Sequence, residues 1–470
     1  MRERGAHPRV RELFLLLLSA CCFVTAAARS SLQAQELTFR RVGAQGLGDR
    51  QNTKAWSMIW WKNALYVGTA RAHLCVEYAG LALSGGPDVG PFKYPPTDPD
   101  LECTESPQDL PLRAEIWRYN PVSRVWKRVF QSPNDVPIPD FPGKFTSRDA
   151  GFRNIIAFTD PDGTEVLYAG GVTSESINPG VPPPRILRTE DGERWTPVPQ
   201  DPGTVLGDLG RGQANFRAMA VYKNRLFLVN ANLRGGGVLM EAANPAGGND
   251  EFRFVSPEGM SFYEMAVFNG WLYLGQLDVQ GGYGVVRTEA TGQPPYTFTP
   301  VVEKGAYLEP FPSNTVVSMA VFKGALFVGT DKPAEMIRVN PDDSWDLIVG
   351  AARDTPQGLK KPLSGMGAGF NDWLNEHIWR MVEHEGKLYV GTNDVRGFLK
   401  QYRFAQPFLH LMGFDLYSSV DGEKYTMLTR QGFGQELDVG VRVFSSTPFG
   451  LFFGTSNPFF GFHIYRSSEP

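Results

Sequence analysis

The sequence predicts an all-β fold on two observations. One phrase occurs seven times: a hydrophobic run, a turn that carries Gly or Asn, and a second run rich in Leu, Tyr, Phe and Val, as in residues 54–72. Such a phrase is typical of a β-hairpin. Most copies continue into a third and a fourth run, so a repeat provides four antiparallel strands. We therefore predict a seven-bladed β-propeller with four-stranded antiparallel blades.

The spacing of the copies locates two insertions. The leucine that opens the second run marks each copy, at Leu65, Leu167, Leu226, Leu272, Leu326, Leu388 and Leu451. The first interval is 102 residues, whereas the others lie between 46 and 63 residues. We assign the excess to an insertion at residues 76–114 in blade 1. The stretch 395–414 has no counterpart in other copies and is assigned as a loop insertion in blade 6.

The two ends of the chain predict how the last blade is completed. The seventh copy ends one strand short, and residues 36–49 are similar to the end of the sixth copy. We predict that this N-terminal strand closes the last blade, which removes the exposed edge of an open sheet. Residues 36–470 would then form a single domain.

The N-terminus predicts export. Four arginines among the first eleven residues precede an apolar run that ends in small residues, the pattern of a secretory signal peptide at residues 1–28. We expect a secreted, periplasmic or cell-surface protein. Residues 18–21 also resemble a bacterial lipobox, which would make Cys21 a lipid-anchor site, and a retained membrane anchor is the third alternative. After signal removal, no stretch approaches the roughly 18 apolar residues of a transmembrane span.

Two cysteines, Cys75 and Cys103, remain after the predicted cleavage. An even pair in an exported protein indicates a disulfide. This bond would hold the Gly- and Pro-rich insertion of blade 1, which has no periodicity of its own. Two free thiols are the alternative.

Charge and composition exclude nucleic-acid binding. The chain has 46 basic and 50 acidic residues, a net charge of −4, and no Lys- or Arg-rich run with interleaved aromatic residues. Such a chain lacks the positive field that attracts a phosphate backbone. Its 42% hydrophobic residues are enough for a large core, and we expect a monomer.

Three short motifs resemble those of known propellers. Residues 189–195 and 419–425 resemble the Asp-box, or BNR repeat, of sialidase-type and sortilin-type propellers, and residues 117–126 are similar to a kelch repeat. The closing segment is similar to secreted bacterial propellers of unassigned activity. The Asp-box resemblance implies structural roles in hairpin turns for four residues: Asp191, Trp195, Asp421 and Tyr425.

Charged residues on the first strands predict a ligand site in the channel. Counting back eight residues from the marker leucine selects Glu264 and Arg380, and also Arg153 and Arg442 when longer hairpins are allowed for. Three guanidiniums around one axis would bind a carboxylate, sulfate or phosphate through paired hydrogen bonds. The alternative is that these arginines pair with local carboxylates.

A second set of candidates follows the second strands, at Asn232, Asp278, Asp331, Asp394 and Asn457. A ring of such oxygens could hold Ca²⁺, the candidate cofactor, and Asp394 is a further candidate for ligand binding. The alternative is that these side chains accept hydrogen bonds from turns.

The sequence favours a secreted binding module whose partner is a glycan, an anionic small molecule or a protein. One alternative is an extracellular hydrolase or lyase that acts on a carbohydrate-like or acidic substrate, with Glu264, Asp278 or Asp331 as proton-transfer groups. Another is a structural scaffold in which residues 395–414 make the contact.

Overall fold

The computed structural model describes residues 36–84, 93–210, 212–232 and 235–468. The predicted signal peptide and Cys21 lie outside these ranges. Residues 41–466 form one compact unit. A second unit contains the described residues 36–40 and 467–468. Within it, the Ser468 hydroxyl donates a hydrogen bond to the Thr38 carbonyl at 3.2 Å. No helix within the described ranges is long and apolar enough to cross a membrane.

Consecutive strands pair antiparallel within each repeat, as predicted. The first three repeats, with β1 before them and a ribbon between the first two, comprise β1 (Thr38–Arg41), β2 (Asn52–Trp61), β3 (Ala64–Arg71), β4 (Glu115–Asn120), β5 (Val125–Gln131), β6 (Val136–Pro137), β7 (Phe145–Thr146), β8 (Gly151–Thr159), β9 (Glu165–Val172), β10 (Ile186–Thr189), β11 (Thr196–Pro197), β12 (Asn215–Tyr222), β13 (Arg225–Ala231), β14 (Gly237–Ala242) and β15 (Phe252–Phe254).

The remaining repeats follow the same order, with a small hairpin between the fifth and sixth. Their strands are β16 (Phe262–Phe268), β17 (Trp271–Gln276), β18 (Val285–Thr288), β19 (Thr299–Val302), β20 (Val316–Phe322), β21 (Ala325–Thr330), β22 (Met336–Val339), β23 (Trp345–Val349), β24 (Arg353–Thr355), β25 (Gly358–Lys360), β26 (Asn375–His384), β27 (Lys387–Asp394), β28 (Leu416–Ser419), β29 (Thr426–Thr429), β30 (Gly440–Thr447), β31 (Gly450–Ser456) and β32 (Ile464–Ser468).

The repeats close into a ring. Each first strand packs beside the first strand of the next repeat, and β30 packs beside β2. The N-terminal segment bonds to the last repeat, because the backbone N–H groups of Val42 and Gly46 donate to the carbonyls of Ile464 and Phe462, each at 2.7 Å. The all-β propeller with antiparallel sheets, closed by the N-terminal segment, is therefore confirmed. The division into a signal peptide and one seven-bladed domain stays a prediction.

The glycine near the end of the repeated phrase has a packing role. A Cβ at Gly391 would lie 2.4 Å from the Cβ of Val441 in the next repeat, and one at Gly454 would lie 2.4 Å from the Cβ of Ala55. Real Cβ atoms do not approach so closely, so these positions accept no side chain unless the neighbouring sheet moves. The glycine thus allows adjacent sheets to approach.

The two turns that resemble Asp-boxes hold their own backbones. Asp191 accepts hydrogen bonds from two backbone N–H groups of its turn, both at 2.8 Å, and Asp421 does the same in its turn. Trp195 is buried in an apolar cluster, and Tyr425 packs against another. All four side chains therefore lie in hairpin turns or in packing between sheets.

The insertion in blade 1 contains a helix that the sequence did not predict. Helix α1 (His73–Ser84) begins directly after β3, and the predicted disulfide between Cys75 and Cys103 is confirmed, with an S–S distance of 2.01 Å. Cys75, Val76 and Ala79 of α1 are buried in one apolar cluster with Leu110 and Leu112, which lie later in the insertion.

The second insertion folds against the first. It contains helix α2 (Arg396–Leu399) and a 3₁₀ segment, Arg403–Leu411. Between these elements the Lys400 ammonium lies 2.5 Å from the Asp98 carboxylate and 2.8 Å from the Asp100 carboxylate. Salt bridges of Lys400 therefore connect the two insertions.

Candidate functional site

Every first strand contains a β-bulge near the same place. In β8 the register of the hairpin shifts between Phe152 and Asn154, and in β30 it shifts between Val441 and Val443. A bulge leaves a residue unpaired and turns its side chain in a new direction. The residues at the seven equivalent bulges are Trp56, Arg153, Arg217, Tyr263, Val317, Trp379 and Arg442.

Six of these seven side chains, all except Val317, line one cavity of about 540 Å³. One wall is a face of α1 that includes His73, Glu77 and Tyr78, and α2 contributes Phe398. The propeller supplies the ring of bulge residues, and the insertions add apolar and polar walls. A cavity of this size and mixed character suits a small molecule.

Positive charge predominates in the cavity. Its cationic side chains are Lys54, Arg153, Arg217, Lys332 and Arg442. Among the described residues, two carboxylates, Glu77 and Glu376, line the same space, so the net formal charge of the described lining is +3 with neutral histidines.

Both carboxylates of the cavity have nearby partners. His73 Nε2 lies 3.0 Å from Glu77, and Lys332 forms a salt bridge with Glu376. Among the described residues, by contrast, Arg153 and Arg442 form no salt bridge with any carboxylate. The positive charge of these two guanidiniums is thus not neutralised by a direct partner.

Aromatic faces support the guanidiniums. Arg153 lies 5.1 Å from the ring of Trp56, and Arg442 lies 5.5 Å from the ring of Trp379. Cation–π attraction of this kind is worth about 1 kcal/mol, and about 2 kcal/mol when the pair is desolvated. It orients the guanidiniums, but it leaves their hydrogen-bonding capacity unused.

Two guanidinium nitrogens retain unmet hydrogen-bonding capacity. Arg153 Nε and Arg442 Nη1 are buried and have no hydrogen-bond partner within the described part of the chain. A buried donor without an acceptor costs about 1–3 kcal/mol. An acceptor oxygen that entered the cavity would remove this penalty.

Burial is the main cause of the lowered pKa values of two cations in the cavity, Lys54 and Arg153. The pKa of Lys54 is lowered to about 7, mainly by burial; Glu77 opposes this shift and nearby guanidiniums add to it. Burial also lowers the pKa of Arg153 to about 9, with the guanidinium of Arg217 as the next cause. Because arginine stays protonated in proteins, its lowered pKa reports a charge that an anion would stabilise.

A phenol and an imidazole in the cavity also have shifted pKa values. Burial raises the pKa of Tyr263, but three guanidiniums, Arg217 foremost, bring it below its usual value. Burial lowers the pKa of His73 to about 4, and Lys54 adds to that shift. At neutral pH the imidazole is uncharged and adds no positive charge to the site.

The structure separates the four residues that the sequence placed together. Arg153 and Arg442 line the cavity, whereas Arg380 and Glu264 follow the bulge by one residue and pair with each other at 2.5 Å. Arg380 also donates to the carbonyl of Val317 at 3.1 Å. Arg380 therefore has the carboxylate partner of the alternative, and its role in ligand binding stays a prediction.

The acidic candidates at the second-strand exits lie in turns. Asp278 accepts two backbone N–H groups of its own turn, each at 2.9 Å. Asp331 accepts those of Asn314 and Thr315, and burial raises the pKa of its carboxyl to about 6.

Asp394 is buried and lies 3.1 Å from Arg396, away from the cavity lining. The amide oxygens of Asn232 and Asn457 likewise accept backbone N–H groups. In the described part of the chain, no group of three or more His, Cys, Asp and Glu side chains could hold a metal ion. These residues thus make the hydrogen bonds of the turn-bonding alternative, and a Ca²⁺ ring stays a prediction.

Sequence reasoning missed Lys54, Arg217, Tyr263 and both tryptophans of the cavity. The count of eight residues back from the marker leucine assumed regular strands, so in five repeats it selected the neighbour of the bulge residue. In six repeats the bulge residue is the ninth before the marker leucine, as Arg217 is before Leu226. A count of nine would have identified six of the seven bulge residues.

The fold and the cavity together define a β-propeller with a cationic cavity. No protein-family model and no curated protein matches this chain. Among solved structures, a streptogramin B lyase is 9% identical, with 92% of this chain and 98% of that chain covered and a TM-score of 0.45. A nidogen/laminin complex is 11% identical, with 66% and 88% covered and a TM-score of 0.36.

The computationally designed Ika8 protein is 9% identical, with 90% of this chain and all of that chain covered and a TM-score of 0.41. No ligand or reaction follows from similarities at this level. The fold assignment here rests on the strand pairing.

Proposed function

We propose that the protein binds a small anionic ligand in the cavity at the bulge residues. One observation carries the proposal: guanidiniums from three repeats and the Lys54 ammonium line a space whose two carboxylates lie beside His73 and Lys332. An anion would satisfy the buried nitrogens of Arg153 and Arg442 and stabilise the charge.

The form of the cavity narrows the ligand class. Planar guanidiniums bind a carboxylate, sulfate or phosphate through paired hydrogen bonds. Trp56 and Trp379 present ring surface beside them, and an apolar or sugar ring attached to the anion would pack there. A small organic acid or an acidic monosaccharide therefore fits better than a bare inorganic ion.

Titration calorimetry tests the proposal with phosphate, sulfate, citrate, glucuronate and N-acetylneuraminate, and with glucose as the neutral control. We expect at least one organic anion to bind and glucose not to bind. The Arg442→Gln variant should bind that anion about 10- to 100-fold more weakly, because a hydrogen bond to a charged group contributes about 1.5–3 kcal/mol.

Arg194 is exposed and far from the cavity lining, so Arg194→Gln is the matched control and should bind as the wild type does. Absence of binding for every anion, or equal binding by Arg442→Gln and wild type, would refute the proposal.

We further propose that the chain is exported, that residues 1–28 are removed, and that residues 36–470 form one seven-bladed domain whose Asp-box-like turns are structural. The disulfide supports the first part, since such bonds persist in oxidising compartments. The N-terminal sequence of the protein recovered from its native compartment tests the cleavage site. A mature protein that begins at Met1 would contradict it.

A further inference from the structure

Lys54 has an unusual position for a lysine. It lies on β2, lines the cavity, and its ammonium nitrogen is 6.0 Å from the ring of Trp56 and 5.7 Å from the ring of Trp379. The two rings come from repeats one and six, so the nitrogen lies within the ring of bulge residues. A ligand bound by the guanidiniums of Arg153 and Arg442 would therefore share the cavity with the Lys54 amine.

No carboxylate among the described residues forms a salt bridge with Lys54. Glu77 is the acidic group that acts on it most strongly, and Glu77 lies beside His73. Three guanidiniums, those of Arg442, Arg153 and Arg217, oppose its positive charge. The other lysine of the cavity, Lys332, differs because it has a salt bridge with Glu376.

A buried lysine beside other cations loses its proton readily, and its neutral amine is a nucleophile towards carbonyl carbon. With its pKa lowered to about 7, Lys54 is neutral at pH 7 in a far larger fraction of molecules than an ordinary lysine is. An ordinary lysine is neutral in on the order of one in 10³ molecules at that pH. The difference favours reaction at Lys54 over reaction at surface lysines.

We propose that Lys54 forms a reversible imine with a 2-oxo acid whose carboxylate is bound by the guanidiniums of Arg153 and Arg442. This inference rests on the anion binding proposed above and names the ligand class as a carboxylate with an adjacent carbonyl. The amine of Lys54 lines the same cavity as these two guanidiniums.

The step balances without a further reactant. The nitrogen lone pair of the neutral amine attacks the carbonyl carbon, and the carbonyl oxygen takes a proton to give a carbinolamine. The nitrogen supplies that proton, and it then loses its second proton to the hydroxyl oxygen. The oxygen leaves as water as a carbon–nitrogen double bond forms. Nothing is oxidised or reduced, so water reverses the reaction.

Reductive trapping tests the inference. The full-length protein is incubated at pH 7 with limiting pyruvate and sodium cyanoborohydride, which delivers hydride to an imine and makes the adduct permanent. Peptide mass spectrometry then locates the adduct. We expect label on Lys54 to exceed label on Lys332 about tenfold or more, because Lys332 forms a salt bridge with Glu376 whereas the Lys54 amine lies among guanidiniums.

Two further measurements exclude trivial explanations. Lys54→Arg keeps a positive charge but has no amine, so the label on the peptide that contains residue 54 should disappear while label on Lys332 and on other lysines is unchanged. On the wild-type protein, lactate has the same carboxylate without the carbonyl and should suppress the Lys54 label by competition. The lactate measurement does not depend on the folding of any variant.

The outcomes separate this inference from the anion-binding proposal. Equal label on Lys54 and Lys332, or label that lactate does not reduce, would overturn the imine. Binding of lactate and pyruvate by calorimetry without label at Lys54 would refute the imine and leave anion binding standing. Absence of both binding and label would refute the imine and count against the anion site as well.

Discussion

The pair Glu264 and Arg380 should show an asymmetric response to mutation. The two side chains are 15% and 21% exposed and pair at 2.5 Å. The carboxylate also acts on Arg153 and Arg442: burial lowers their pKa values, and Glu264 opposes that shift. Loss of the carboxylate therefore leaves several cations unbalanced, whereas loss of Arg380 leaves a carboxylate that still has cationic neighbours.

Glu264→Gln should lower the free energy of unfolding by about 3–5 kcal/mol, the cost of leaving a buried charge without its partner. Arg380→Gln should lower it by about 1.5–3 kcal/mol, the value of a hydrogen bond between charged groups. Urea unfolding in low salt, followed by tryptophan fluorescence, measures both. Added sulfate should recover more stability in Glu264→Gln than in Arg380→Gln, since an anion in the cavity replaces the lost negative charge. Equal losses, or a larger loss in Arg380→Gln, would refute this account of the charges.

Three further predictions concern packing, pH and the disulfide. Gly391→Ala should destabilise the fold by about 1–3 kcal/mol in urea unfolding, because its Cβ would overlap that of Val441; a neutral effect would contradict the packing role. Between pH 7 and pH 10 the unfolded chain holds the Lys54 proton and the folded chain does not, so stability should rise with pH in the wild type and rise less in Lys54→Met. Cys103→Ser should cost about 3.5 kcal/mol from the entropy of closing a loop of 28 residues, and reduction of the wild type should give the same loss.

Local patterns were enough to predict much of the fold. The seven hairpins are local in sequence: each alternates apolar residues around a short turn, and the turn determines which strands pair. The closure by the N-terminal segment followed from a missing strand at one end and an extra strand at the other. The bond between Cys75 and Cys103 followed from there being no other cysteine in the predicted mature chain.

The candidate site could be predicted only in part. Arg153 and Arg442 were found because an arginine is conspicuous near a repeated position. Arg217 was missed because a bulge displaces the register by one residue, and this displacement is not visible in the alternation of apolar residues. Asp278 and Asp331 were proposed from their residue type, although the hydrogen bonds of their turns use these oxygens.

By itself the sequence determined the hairpins and their antiparallel pairing, because these depend on contacts between neighbours in the chain. It also indicated the closed ring, because the repeat recurs seven times and the last copy lacks a strand that the N-terminal segment can supply. Tertiary structure alone decided which side chains share the cavity. The bulges direct side chains from distant repeats to one place, and the two insertions meet there through Lys400. The low pKa of Lys54 is likewise a consequence of the tertiary structure, because it depends on burial and on charges from other repeats.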